Sequence, residues 1–403
     1  MRSRVRKNME LGFIDYSHEE RNKILATLKM LDDHNALDEL GIGVIRDAYA
    51  DILFPGISTL QRRAKYFVLI PYLFQSAKEQ AEKGKIRSGK EMQQWIYEGE
   101  DRVAATLTNN CPSDEVGIIG SNSYRNKRSV KIKPSTIYWN GLRTFGILRE
   151  NGVSIGSACK LVYAAASRKA SSEVKLTGES YDDATANNQG EALFLPLRPD
   201  YDYEKDAVIS LTKKEAVFLR DCILHSPMTS GSLLAFLVKN KMVCEDIQSV
   251  PTELLPKSLR RDFFLATEFS RFIYGAHIRY NVVFSNNADN AMLELYEQWR
   301  KEFLATPFDL EPILDRVSCG PSLTAFCRSF LEAVISNDTV GMDDLIVKRE
   351  LQIKRERAKL RKPAEYRYEP TRPVHLYRLD YRFSTAKIII RDILDGLAGE
   401  QYV

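Results

Sequence analysis

Apolar positions along this chain recur mostly at helical spacing. Ile24, Leu25, Leu28 and Leu31 share one face of a helix opened by Ser17 and Glu20, a capping box that satisfies exposed N–H donors reciprocally. A second helix is predicted from about Val44 to Leu53, ended by Phe54-Pro55-Gly56, because Pro removes a donor and Gly permits the turn. Ser58 and Gln61 form another capping box. Leu60, Ala64, Phe67, Val68 and Pro71 then share a face, with Gln61, Arg62 and Lys65 off it in exposed first turns. Helix, short turn, and helix with a basic start outline a helix-turn-helix, although a plain helical hairpin with solvated bases fits the same pattern. Beyond Tyr66 the residues are apolar nearly all round, so the later half of that helix must be buried.

Residues 76–110 are polar and helical. Gly117–Lys133 has no helical period, and Gly120, Ser121, Asn122 and Ser123 mark it as a loop or short β-hairpin. Pro134-Ser135 opens the next helix, with Ile137, Tyr138, Leu142 and Phe145 on its apolar face and Gly152 as its C-cap. A helix from about Ile155 to Ala170 follows. Thr212 and Glu215 form a third capping box ahead of Ala216, Leu219, Cys222 and Ile223. Further helices are expected over Ser232–Val243, Phe263–Ser285, 288–304 and 322–336. In the second of these, Gly275, Ala276 and His277 permit a close helix approach. Residues 348–362 read as an exposed helix stopped by Pro363, and Leu376–Leu397 packs back through Leu379, Tyr381, Ile388, Ile389, Ile393 and Leu394. There is no internal repeat.

The fold class expected is therefore mainly α: two helical lobes with a helix-turn-helix-like N-terminal hairpin and a small basic loop or β-hairpin. At 403 residues the chain exceeds what one core usually holds. Residues 171–206 carry nine acids against three bases, with two Gly and two Pro, and divide it. The expected organisation is a basic tail over 1–10, a helical domain over 11–170, an acidic linker or insertion over 171–206, and a C-terminal helical domain over 207–403. Hydrophobic and charged contents of 44% and 28% are ordinary for a folded soluble protein. No apolar run is long enough to span a membrane, and no apolar segment follows the basic N-terminus as a secretory signal requires. The six cysteines are scattered without a CxxC, which points to free thiols in a cytoplasm.

Charge changes the picture. Residues 116–149 carry seven bases and no acid, while the whole chain is only +4. A field of one sign concentrated in this way serves an anionic partner, and nucleic acid is the commonest large one. The candidate phosphate contacts are Arg62, Arg63 and Lys65 in the hairpin and Arg125, Lys127, Arg128, Lys131 and Lys133 in the loop. If the loop is a strand pair, Lys131 and Lys133 point to one face. The bland alternative is a solvated hairpin; 34 residues without an acid favour the partner. Residues 348–362, with eight bases and two acids, offer either an exposed helix or tether or a second phosphate-contacting element.

Catalytic motifs are weak. Gly152-Val153-Ser154-Ile155-Gly156 matches GxSxG, and Asp221 and His225 follow in triad order, but a helix precedes Ser154 where a nucleophile elbow needs a strand. Ser154 instead occupies an N-cap position. Glu173-Val174-Lys175 has the ExK spacing of metal-dependent nucleases but lies in a polar acidic stretch. No phosphate-binding GxxxxGK[ST] or GxGxxG is present, and His and Cys spacing fits no metal site, so no cofactor and no metal are implied. His277, on an apolar helix face, fits a hydrogen-bonded core histidine better than a general base.

The stretches Gly12–Ser17, Leu37–Asp47, Phe54-Pro55-Gly56 through Tyr66-Phe67, Pro134–Leu142 and Leu379–Arg382 resemble a bacterial family of unknown function over roughly residues 10–397. Genes of that family are often met in mobile or defence islands near helicases and phospholipase-D-like nucleases. The resemblance implies a cytoplasmic accessory subunit of a phage-defence system and supplies no catalytic residues. The function expected is a non-enzymatic nucleic-acid-binding or scaffolding subunit of a bacterial antiviral complex, with DNA favoured over RNA. The alternatives are an adaptor for a helicase or nuclease partner and a cryptic metal-dependent nuclease.

Overall fold

The computed structural model describes residues 38–150, 152–175, 193–362 and 365–399. The Ser17 capping box, its helix, the basic tail, Pro363 and residues 176–192 of the acidic stretch lie outside them. Among the described residues there are fourteen α-helices and no strand, so the chain is mainly α. No helix there is long and apolar enough to cross a membrane.

The described residues fall into two compact units that differ from the expected division. One is drawn from Met1–Ile45 and Glu268–Arg378, the other from Arg46–Thr267 and Leu379–Val403. The acidic stretch does not divide them. Its described parts, the backbone of 171–175 and the residues from Leu193 on, lie within the second unit: Phe194 packs on Phe74 and Trp139, and Thr106 and Asn110 donate to the carbonyls of Glu204 and Lys205. Apolar and aromatic residues within an acidic composition decide this, because burying their rings outweighs exposing the chain as a linker.

In the second unit the helices are α1 (Gly43–Leu53), α2 (Tyr66–Glu82), α3 (Gly89–Asn110), α4 (Ser121–Arg125), α5 (Pro134–Thr144), α6 (Ile155–Lys175), α7 (Lys213–His225) and α8 (Leu233–Lys239). The first three residues of α1 belong to the other unit. α6 packs on α2 and α3, and the chain's last helix, Phe383–Ala398, packs on α7 and α8. The expected starts at Pro134, Ile155 and Lys213 hold. Ser154 Oγ accepts the Ser157 N–H as an N-cap, and Thr212 and Glu215 complete their reciprocal box. α5 ends sooner than expected, at Thr144; Gly146 and Gly152 both have positive φ, and Gly146 is the one that stands just past the helix.

The Ser58–Gln61 box does not open a helix. Residues 54–65 form an irregular connection, and Gln61 is buried, accepting from Ser58 N and donating to Gly56 O. Tertiary partners take the backbone groups that a helix would use. Tyr138 Oη accepts from Arg62 N and Arg63 N and donates to Arg63 O, while Asp392 accepts from Ala64 N. α2 begins only at Tyr66, and its first nine residues are all buried. A recognition helix must present its first turns to a groove. α2 buries them, and the connection is longer than the 3–4 residues of a helix-turn-helix.

The first unit holds Glu268–Phe284, the latter part of α9 (Lys257–Phe284), with α10 (Asn290–Leu304), α11 (Glu311–Arg316), α12 (Pro321–Ser336) and α13 (Thr339–Lys354). The close approach expected at Gly275 is present: a Cβ there would lie 2.1 Å from the Trp299 ring of α10. The helix expected over 348–362 is corrected: α13 ends at Lys354, and two 3₁₀ turns follow. The last helix of the chain, α14 (Phe383–Ala398), belongs to the second unit.

Candidate nucleic-acid interface

The basic stretch is neither a hairpin nor a loose loop. Ser121–Arg125 makes one short helix, α4, and the chain then turns back. Arg128 N donates to Ser123 O, and Lys127 N to Tyr124 O, fixing Lys127 at φ 53°, a conformation that costs free energy for a side chain with a Cβ. The loop closes on itself where Gly120 meets Val130: any Cβ on Gly120 would lie 2.3 Å from a Val130 methyl, and Gly120 has φ +89°. Only glycine fits both demands. Val130 and Ile118 are buried beneath.

Acids from elsewhere in the unit pin the loop. Asp101 on α3 accepts from Val130 N, from Ser129 Oγ and from Lys133 Nζ at 2.7 Å. Burial would raise the Asp101 carboxyl, but Lys133 and these donors hold it below the usual carboxylate range. Tyr66 Oη accepts from Ile119 N. Glu100, beside Asp101, accepts from Ser135 N at the start of α5, where the helix dipole favours an anion. Burial prevails over that attraction and pushes its carboxyl up to about 7.

At Glu100 the folded state binds a proton that the unfolded state, with an ordinary carboxyl near 4.5, has released. Stability therefore falls as pH rises from about 4.5 to about 7 and is level above. Glu100→Gln is expected to remove that fall. In urea unfolding, the variant should match the parent below pH 4.5 and exceed it at pH 8 by about 3 kcal/mol. Equal stabilities at pH 8 would contradict this.

The eight predicted contacts separate into two groups. Lys65 is 0% exposed, and its Nζ lies 2.7 Å from Glu215 Oε2 and 3.0 Å from Ser210 O. Burial pulls its pKa down, opposed by Glu215. Arg63 is bound to both oxygens of Asp392 at 3.0 and 3.1 Å and also to Glu115. Lys133 is turned inward to Asp101 and the Tyr97 carbonyl, so it does not share a strand face with Lys131. These three side chains hold the fold, which corrects the expectation that Lys65 lies in an exposed first turn. Arg62, Arg125, Lys127, Arg128 and Lys131 are exposed, and none has an ion pair among the described residues. Arg62 is brought to the same place: a Cβ on Gly117 would sit 3.4 Å from Arg62 Cβ and 2.8 Å from Arg63 Cγ. The connection thus meets the start of the loop at Gly117, and these five exposed cations are the candidate patch. Nearby acids are engaged, Asp101 by Lys133 and Glu115 by Arg63, while Asp114 stays exposed. Val116, Tyr124 and Ile132 add exposed apolar surface to the same stretch.

Sequence inspection missed Asp101, Glu100 and Asp392, whose partners lie from 28 to 329 residues away, so no local spacing announces them. The weak catalytic motifs gain nothing. Ser154 serves as a helix cap, and the backbone of Glu173–Lys175 is the end of α6 rather than a hairpin. His225 Nδ1 lies 2.8 Å from the Asp221 carbonyl, beside a cavity of about 430 Å³ that Cys222 also lines. Burial pushes the Cys222 thiol up to about 12, which leaves it protonated and unreactive near neutral pH. Among the described residues no group of three or more His, Cys, Asp or Glu is placed to hold a metal ion.

A family model matches residues 9–294, most of the chain and all of the patch. The chain belongs to that family, DUF6361, a family of unknown function. No curated protein and no solved structure matches it.

Proposed function

We propose that this DUF6361 protein is a non-enzymatic subunit that binds nucleic acid through the patch of Arg62, Arg125, Lys127, Arg128 and Lys131. The observation that carries this reading is a group of five outward cations, four on a loop fixed by Asp101, Tyr66 and the Gly120–Val130 closure and Arg62 on a connection whose backbone Tyr138 holds. Loops of solvated charge need no such anchoring. A preorganised one loses less entropy when it meets a phosphate backbone. DNA is the favoured ligand. The resemblance to genes near helicases and phospholipase-D-like nucleases supports a place in a cytoplasmic bacterial antiviral complex, with a helicase or nuclease as its protein partner. Arg63, Lys65 and Lys133 support the patch from beneath.

Fluorescence anisotropy of the purified protein with short double- and single-stranded DNA and RNA tests this. Binding to at least one of them, strongest to DNA, is the expected result. No binding to any at about 50 mM salt would overturn it and make an acidic protein the partner, which co-purification insensitive to nuclease treatment would then reveal.

A further inference from the structure

The other unit carries its own unusual basic segment. After α13 ends, Arg355–Arg378 contains two single 3₁₀ turns, Arg355–Arg357 and Lys359–Arg361, and no α-helix or strand among its described residues. Irregular segments of more than about 12–15 residues inside a compact unit are uncommon and are usually functional or disordered. This one is held at many points. Glu350, fully buried, accepts from Lys359 N and Leu360 N, both at 3.0 Å, and from Tyr280 Oη. Buried Glu39 meets Lys359 Nζ at 2.8 Å and His375 Nε2 at 2.6 Å. Burial alone would raise the Glu39 carboxyl, but His375 and Lys359 bring it down to about 2. Tyr368 Oη donates to Asp289, at the cap of α10. Asn281 exchanges two hydrogen bonds with the Val374 backbone, at 2.7 and 2.8 Å.

These anchors sort the charges. The buried acids, Glu39 and Glu350, face inward and hold Lys354, Lys359 and the backbone. Arg355, Arg361, Arg367 and Arg372 are left exposed, with no ion pair among the described residues. Arg355 is held at φ 52° as the helix is broken off. Glu356 and Glu369 are exposed alongside, and Glu365 is paired with Lys362. The outward cations are all arginine, whose planar fork binds phosphate oxygens two at a time, whereas a lysine offers a point charge.

We infer that the segment Arg355–Arg378 is a second, independent nucleic-acid contact, with Arg355, Arg361, Arg367 and Arg372 binding backbone phosphates. The segment lies beyond the residues that the family model matches. Each unit thus presents an irregular stretch that acids from neighbouring elements pin, Asp101 in one and Glu39 and Glu350 in the other, and that carries exposed bases.

The test compares Arg361→Glu with Arg367→Glu against Lys127→Glu with Lys131→Glu, in the full chain. DNA affinity is measured by anisotropy across a salt series, with polyglutamate as a competing polyanion. Thermal midpoints should be unchanged, because all four side chains are exposed; Arg361→Ala with Arg367→Ala replaces the first pair if its midpoint falls. The expected result is a loss of about tenfold or more for the first pair, with a salt slope shallower by about two. Wild-type affinity and slope in the first pair, with a loss in the second, would overturn the inference and leave the patch intact. Loss in the first pair alone would support this segment and overturn the patch. No DNA binding by the parent would overturn both, as would displacement of DNA by equimolar polyglutamate.

Discussion

Lys127→Glu with Lys131→Glu is expected to weaken DNA binding roughly hundredfold at low salt without lowering the thermal midpoint. Both side chains are exposed, and neither has an ion pair among the described residues, so reversal removes attraction and adds repulsion without breaking a fold contact. Lys133→Glu is the contrasting variant. Its Nζ bonds Asp101 and Tyr97 O, and a carboxylate there would face Asp101 and unpin the Val130–Lys133 strap. Lys133→Glu should therefore lower the midpoint, and any loss of binding would follow from the displaced loop. The two variants separate a residue that touches the ligand from one that holds the residue that does. A hundredfold loss that came with a lowered midpoint in the first variant would contradict this division.

The largest stability effect is expected at Lys65. It is a fully buried cation held by Glu215 and lying 5.0 Å from the Tyr201 ring. Glu215 also accepts from Tyr201 Oη at 2.7 Å and from Thr212 N at 2.8 Å as part of the α7 cap. Lys65→Met would leave that carboxylate buried without its cation and should cost about 3–5 kcal/mol in urea unfolding. Adding Glu215→Gln removes the charge, keeps one acceptor oxygen for Thr212 N, and places an amide N–H where the Tyr201 hydroxyl can turn to accept it. The double variant should recover at least half of the loss, a coupling of roughly 2 kcal/mol. Equal losses in the single and double variants would show that the charge is not what matters, and that packing around the Lys65 stem is.

How far the sequence reached follows from the range of each interaction. Helix starts governed by residues three or four positions apart were legible: Ser154 on Ser157, Thr212 on Glu215, Pro134 at the first turn of α5. The Ser58–Gln61 pair had the same local signature, and Gln61 does bond Ser58, but Tyr138 and Asp392 claim the next backbone donors and hold the chain out of a helix. At 348–362 the local pattern favoured a helix, while Glu350 captured the N–H groups of Lys359 and Leu360 into a turn. The basic patch itself was legible as composition. Which of its cations face outward was not, because that depends on Asp101, Glu215 and Asp392, and charge counts give a buried lysine and an exposed one the same weight.

The most direct measurement is the affinity of the parent protein and of Lys127→Glu with Lys131→Glu for a short DNA duplex, from roughly 50 to 200 mM salt. Five exposed cations meeting five phosphates give a slope of log K against log salt of about −4 to −5 from this patch, with Arg355–Arg378 steepening it further on a duplex that reaches both. The variant should lie roughly hundredfold lower at the lowest salt, with a slope shallower by about two. A parent slope near zero, or a variant whose line overlays that of the parent, would contradict the assignment of this face to nucleic acid.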